Sequence, residues 1–169
     1  AGSYAEGARD SLGISEQCDF EFELGGLRFP RYQPKDGSTA RSFLRRLTID
    51  GAHRRYGRTG PIPARILGQI EEELRIIAEV GYEEYFLLVW DILEDCKLRG
   101  IEWITRGSAA DSLVCYCIGI SDVCPIRFEL YFRRFLNRDR MVLNKLPDID
   151  IDFAVDRKDD VVDLIFAKY

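Results

Sequence analysis

The chain has 169 residues, of which 46% are hydrophobic and 31% charged, and its formal net charge is −5. This size suits one globular domain, and the net charge supplies no overall basic field for nucleic acid, although local basic patches could still bind it. The only histidine, His53, stands beside arginines, which argues against a His-rich zinc site and against a Ser-His-Asp hydrolase. Five cysteines without CxxC spacing and no apolar run of roughly 20 residues predict a cytoplasmic protein with no membrane span.

The first part of the sequence predicts a polar N-terminal segment followed by a mainly helical domain. Residues 1–19 are small and polar, which predicts a loosely ordered N-terminal segment, and the domain is expected over 20–169. Caps, apolar periodicity and terminal glycines then predict the following elements. They are a strand and turn over 20–29, a helix from a cap at 38 or 39 to 56, a turn-rich break over 58–63, helices over 64–80 and 83–98, and a strand over 101–105.

The second part predicts shorter elements. A helix is expected over 109–118, a second over 126–136, a strand over 148–153, and a last helix capped by Asp156 and running to Tyr169. Helices therefore alternate with short strands. The pattern favours an α/β to α+β fold in which helices flank a short sheet.

The run from Pro147 to Phe153 alternates carboxylates with large apolar residues. On a strand this period places Asp148, Asp150 and Asp152 on one face, roughly 7 Å apart per step, and sends the apolar residues between them to the core. Two carboxylates at that spacing repel by roughly 2 kcal/mol at an effective dielectric near 20. The row therefore predicts a cation site, and hard divalent ions suit such oxygen ligands best.

Two other interpretations of the run were weighed. A solvated edge strand could carry the acids only to prevent aggregation, although edge strands more often use lysine and proline. A calcium loop of the EF-hand type needs glycine and glutamate where this chain has Phe153 and Asp159, and we reject it.

A second candidate site follows the predicted strand over 101–105. Gly107 allows close backbone approach, Ser108 offers a hydroxyl, and Arg106 offers a guanidinium fork, all at an expected helix start that attracts anions. The alternative is plain helix capping by Ser108 and Asp111. Together with the carboxylate strand, the turn predicts a phosphate cradle beside a metal platform, which is the arrangement used for two-metal nucleotidyl transfer.

Four segments, in this order, resemble the palm region of the catalytic alpha subunit of bacterial DNA polymerase III. They are residues 85–92, with the sequence YFLLVWDI, residues 106–110, RGSAA, residues 135–137, FLN, and residues 147–153, PDIDIDF. The resemblance covers about residues 18–169 and implies the first part of a polymerase palm of the nucleotidyltransferase, DNA polymerase beta-like type.

The resemblance also implies site roles. Two Mg²⁺ ions, for which Mn²⁺ can substitute, would be held by Asp150 together with either Asp148 or Asp152. Gly107 and Ser108 would bind the β and γ phosphates of the nucleotide with Arg106 nearby. Arg134 would touch the triphosphate or the DNA backbone.

The implied reaction is the addition of dNTPs to a primer 3′ end on template DNA. The implied partners of a full-length protein are a sliding clamp and other replisome or repair subunits. In this family a third catalytic aspartate and the fingers lie downstream, so we expect residues 1–169 alone to be inactive. Departures from the family pattern at residues 103–105 and at Asp111 are compatible with an error-prone relative. The alternatives are a non-catalytic, divalent-metal-binding interaction module and a nucleotidyltransferase acting on a small acceptor.

Overall fold

Three long helices precede the first strand in the computed structural model, which describes residues 11, 13–15, 17, 30–57, 60–136 and 148–169. Their bounds are α1 Ala40–Tyr56, α2 Ala64–Val80 and α3 Glu83–Leu98. Helix α1 begins after Thr39, whose side-chain oxygen accepts a hydrogen bond from Ser42 N, as one of the two predicted caps requires. Helix α2 ends at Gly81, which adopts a left-handed conformation with φ 73°. All three helices were predicted.

The remaining elements are short and include the two strands. In chain order they are β1 Trp103–Arg106, a 3₁₀ helix Gly107–Asp111, α4 Leu113–Ile118, a 3₁₀ helix Phe132–Arg134, β2 Asp150–Phe153, a 3₁₀ helix Val155–Arg157 and α5 Lys158–Lys168. Within the described residues, β1 and β2 form one antiparallel two-stranded sheet. Because these strands are antiparallel, the fold is α+β, and the α/β alternative is not supported.

The core lies between the helices and the inner face of the sheet. Helix α1 packs closely on α4, and Gly51 permits this contact because a Cβ atom there would lie 1.8 Å from the carbonyl oxygen of Cys117. The inward side chains of Trp103, Ile151 and Phe153 pack against buried residues. A two-stranded sheet is only marginally stable in water by itself, so this packing fixes its position.

Several predicted details are wrong. The helix predicted over 109–118 is divided into a 3₁₀ helix over 107–111 and α4, which Ser112 caps by accepting a hydrogen bond from Cys115 N. The capping box at Ser108 and Asp111, the alternative to a phosphate site, is therefore not formed either. The last helix is not capped by Asp156, which lies in a 3₁₀ helix before α5. The second strand starts at Asp150, two residues later than predicted.

The predicted helix over 126–136 is also wrong. Turns and the short 3₁₀ helix Phe132–Arg134 occupy this stretch. Glu129 has a φ of 51°, which a right-handed helix excludes. Its aromatic residues are not equally buried, since Phe128 is 57% exposed whereas Phe135 is 1% exposed.

Some expectations concern residues with little or no description. The predictions for 1–19 and 20–29 fall almost entirely outside the described residues, as do Pro147 and Asn137. In the part of the chain that is described, no helix has the length and apolar character needed to cross a membrane.

Candidate functional site

The predicted carboxylates lie in β2 and directly before it, since Asp150 and Asp152 belong to the strand and Asp148 precedes it. Asp148, Asp150 and Asp152 are exposed, while the residues between them, Ile149 and Ile151, are half-buried against the core. The predicted alternation is therefore confirmed. The backbone N–H of Ile149 donates a hydrogen bond of 3.3 Å to the hydroxyl of Tyr85, so the segment that leads into β2 is attached to α3.

The glycine turn lies directly against this row. The strand register pairs Arg106 with Asp150, and Gly107 follows at once with φ 70°. A Cβ atom at residue 107 would lie 2.9 Å from Asp150 Oδ2, a distance that real Cβ atoms essentially never show. Two segments that are far apart in sequence, the turn and the carboxylate strand, are thus in contact.

This contact predicts the effect of Gly107→Ala. A side chain at that φ is strained by about 1–2 kcal/mol, and the new methyl group must also displace the Asp150 carboxylate. Gly100→Ala is the matched control, because Gly100 has φ 64° and nothing within 4 Å of a Cβ atom. We expect similar losses of stability in urea unfolding, but weaker Mn²⁺ binding only in Gly107→Ala. Equal Mn²⁺ affinity in the two variants would contradict the contact's importance.

Arg106 holds the third carboxylate of the row. Its Nε and one terminal nitrogen donate hydrogen bonds to the two oxygens of Asp152 at 3.0 and 3.3 Å. Asp152, and more weakly Asp150, raise the pKa of Arg106. Both partners of this fork are largely exposed, so its contribution to stability is small. The fork matters locally, because both carboxylate oxygens of Asp152 accept hydrogen bonds from the Arg106 guanidinium in this arrangement.

Arg134, the remaining predicted site residue, also lies near the glycine turn. Its Nε is 3.9 Å from Oδ2 of Asp111, the last residue of the 3₁₀ helix that starts at Gly107. The two 3₁₀ helices, 107–111 and 132–134, pack against each other. The structure therefore places Arg106 and Arg134 near opposite ends of the same turn.

The donors present suit a divalent ion only in part. Carboxylate oxygens on one exposed face are the hard ligands that Mg²⁺ prefers. However, the described residues contain no group of three or more His, Cys, Asp or Glu side chains able to hold a metal. The described row therefore supplies at most two such ligands, and a complete site would require further oxygens.

One buried residue beneath the turn was missed by the sequence analysis. Glu73 of α2 is 1% exposed and accepts four hydrogen bonds. Its donors are Gln69 Nε2, Ser112 Oγ, Leu113 N and Val114 N. Burial raises the pKa of Glu73 to about 7, against the lowering effect of these donors. It anchors the start of α4, which directly follows the 107–111 turn.

A signal for Glu73 was present in the sequence. Its position falls on the apolar stripe of α2, between Ile70 and Ile77, where an acid needs a buried partner. Three of its four partners, Ser112, Leu113 and Val114, lie about 40 residues away and could not be read from α2 alone.

Comparison with known proteins shows the family of the chain. Residues 42–169 match the family model of the bacterial DNA polymerase III alpha NTPase domain. The chain is 44% identical over 166 residues to the error-prone DNA polymerase of Symbiobacterium thermophilum, covering 98% of this chain and 15% of that protein. It is 42% identical over 160 residues to the error-prone DNA polymerase of Pseudomonas aeruginosa, covering 95% of this chain and 15% of that protein.

A third relative, the error-prone DNA polymerase of Hahella chejuensis, is 40% identical over 161 residues, with 95% of this chain and 15% of that protein covered. The chain thus spans about 15% of the length of these curated relatives. The family match extends over well more than half of the chain. The chain belongs to the bacterial DNA polymerase III alpha family.

Proposed function

We propose that this chain forms the nucleotide- and metal-binding part of a DNA-directed DNA polymerase that adds dNTPs to a primer 3′ end. The observation that carries the proposal is the contact between Asp150 and Gly107, since it joins a carboxylate row to a turn suited to phosphate. Relatives named error-prone DNA polymerase support the reaction class. The proposed fold is the first part of a palm of the DNA polymerase beta-like, nucleotidyltransferase type.

In this proposal the turn and the strand have separate roles. The backbone at Gly107 and the Ser108 hydroxyl bind the β and γ phosphates of the incoming nucleotide. Asp150, with Asp148 or Asp152, holds divalent metal beside them, and Mg²⁺ or Mn²⁺ there supplies Lewis-acid stabilisation of the charge that develops on phosphate oxygens. The missing ligands would come from outside the described residues, including the third aspartate that the family resemblance implies.

Arg106 would then exchange one partner for another. Its fork holds Asp152 in this structure and also suits a phosphate, because a carboxylate and a phosphate each present two oxygens that can accept a pair of N–H donors. When Arg106 turns to the triphosphate, both oxygens of Asp152 become available as ligands.

The wider setting follows from the relatives rather than from the geometry. Primer-template DNA and dNTPs are the proposed ligands, and a sliding clamp with other replisome or repair subunits are the proposed partners in a cytoplasmic full-length polymerase. Because the carboxylate row is an incomplete ligand set, we propose that the 169 residues alone do not extend a primer.

A Mn²⁺ titration tests the metal site. Asp150 belongs to both candidate pairs, so Asp150→Asn should lower Mn²⁺ affinity by at least about tenfold. Of Asp148→Asn and Asp152→Asn, one should lower it similarly and the other should not, which identifies the pair. The matched control is Asp163→Asn, an exposed acid on α5.

Two results would change the proposal. Unchanged Mn²⁺ affinity in Asp150→Asn would remove the metal site. Mn²⁺ binding without any dNTP binding, measured by calorimetry with each ligand in turn, would instead favour a non-catalytic interaction module.

A further inference from the structure

Asp111 is a buried acid beside the glycine turn with an unsatisfied oxygen. The residue is 6% exposed, and no hydrogen-bond donor among the described residues reaches its Oδ2 atom. Aspartate is almost never buried without a partner, because an unpaired buried carboxylate is costly. The position therefore calls for a cation that can reach Oδ2.

Arg134 meets this requirement from the neighbouring segment. Its Nε lies 3.9 Å from Asp111 Oδ2, within ion-pair range but too far for a hydrogen bond. The backbone around Arg134 is held by Phe132 and Phe135, which are 6% and 1% exposed, and the Phe135 ring packs edge-on to Phe86. The Arg134 side chain itself is 74% exposed. The backbone at Arg134 is therefore held in place. The Nε edge of its guanidinium faces the 107–111 turn, and most of the side chain is exposed to solvent.

We propose that Asp111 is a positioning residue for Arg134. By drawing the Nε–H of Arg134 onto Oδ2, it sets the guanidinium so that the two terminal nitrogens face a phosphate bound at Gly107 and Ser108. Asp111 itself does not touch the nucleotide. This inference rests on the proposed function. It gives Asp111 a role, although phosphate binding by Gly107 and Ser108 does not by itself require a carboxylate there.

The sign of the effect separates this role from two simpler ones. A carboxylate near an anion site weakens anion binding by direct repulsion, so removing its charge should strengthen binding. A carboxylate that merely stabilises the turn should weaken binding when removed, whatever residue occupies position 134. Only a carboxylate that acts through Arg134 strengthens binding when Arg134 is present and opposes it when Arg134 is absent.

A double-mutant cycle that measures the affinity for inorganic tripolyphosphate tests this role of Asp111. It uses the polymerase polypeptide proposed above, calorimetry, and the variants Asp111→Asn, Arg134→Gln and their combination. Arg134→Gln should weaken binding about tenfold, since one charge-assisted interaction with phosphate is lost. Asp111→Asn should weaken binding about threefold in the wild-type background and should strengthen it, or leave it unchanged, in the Arg134→Gln background.

Other outcomes overturn the inference. Stronger binding by Asp111→Asn in both backgrounds would show simple repulsion, and equal weakening in both would show a structural role. Should Asp111→Asn fail to fold, as judged by thermal unfolding, Arg134→Lys tests the same point. Lysine keeps the charge but lacks the Nε–H edge that Asp111 orients, so the affinity of Arg134→Lys should fall about threefold, as expected for Asp111→Asn, and wild-type affinity would refute the positioning.

The proposed function can fail separately. A wild-type protein that binds no tripolyphosphate overturns both the phosphate site and the role of Asp111. A wild-type protein that binds it, with no coupling between residues 111 and 134, overturns only the role of Asp111.

Discussion

Replacing Asp150 by Asn in the proposed full-length polymerase is expected to lower primer extension by about 1,000-fold. Asp150 is the one strand carboxylate that belongs to both candidate metal pairs, and its Oδ2 lies against the turn at Gly107 that is proposed to bind phosphate. Loss of one metal ligand removes several kcal/mol of transition-state stabilisation, and each 1.36 kcal/mol corresponds to a tenfold change in rate. Single-turnover extension of a labelled primer by one dNTP measures the effect without a contribution from product release.

The control for this experiment is another exposed acid. Asp163 lies on α5 and not on the strand, and Asp163→Asn should retain wild-type extension within about twofold. Both variants should unfold at wild-type urea concentrations, because Asp150 is exposed and its replacement leaves no buried group unpaired. Extension by Asp150→Asn within tenfold of the wild type would show that the catalytic carboxylates lie elsewhere.

The long helices could be predicted to their ends because their signals are local. Helix α2 carries an apolar stripe with helical spacing, and Gly81 supplies the left-handed residue that ends it. Residues 126–136 also show aromatic residues at helix-like spacing, but there the burial of Phe132 and Phe135 is a tertiary effect. Glu129 with positive φ breaks the pattern, and no local signal marks a glutamate for that conformation.

The candidate site likewise has features that follow from the local sequence and features that depend on tertiary contacts. A period of two was sufficient to predict that Asp148, Asp150 and Asp152 are exposed and the residues between them half-buried, although only Asp150 and Asp152 lie in β2. The fork between Arg106 and Asp152 depends on the register of two strands whose paired residues lie 46 positions apart. Register follows from how both strands pack on the helices, so it could not be obtained from either segment alone.

Removing the Glu73 side chain is expected to lower stability substantially while leaving the carboxylate row intact. Glu73→Ala leaves the N–H groups of Leu113 and Val114 and the Ser112 hydroxyl without their buried acceptor. We expect a loss of about 3 kcal/mol in the free energy of unfolding at pH 5, measured by urea denaturation, because hydrogen bonds to a charged or polar buried acceptor are costly to lose.

The neighbouring residue provides the matched control for that loss. Glu72 is on the same helix, half-exposed, and paired with Arg133 at 3.2 Å. Because exposed ion pairs contribute little, Glu72→Ala should change stability by less than about 1 kcal/mol. Equal effects of the two substitutions would contradict the anchoring role of Glu73.

The pH dependence of stability gives an independent measure of the same group. Burial raises the pKa of Glu73 from its ordinary value of 4.5 to about 7 in the folded chain. Between these values the folded state binds more protons than the unfolded state, so stability is full below about pH 4.5 and declines as the pH rises to about 7. The decline attributable to Glu73 is roughly 3 kcal/mol.

Comparison with Glu73→Gln isolates this decline from the titration of other acids. The amide keeps the shape of the side chain but does not titrate, so its stability should lack the Glu73 component between pH 4.5 and 7. As the pH rises, the free energy of unfolding of the wild type should therefore fall relative to that of Glu73→Gln. If that difference instead stays constant, the four donors hold Glu73 ionised throughout, and the anchor of α4 beneath the 107–111 turn is a buried charge at every pH in this range.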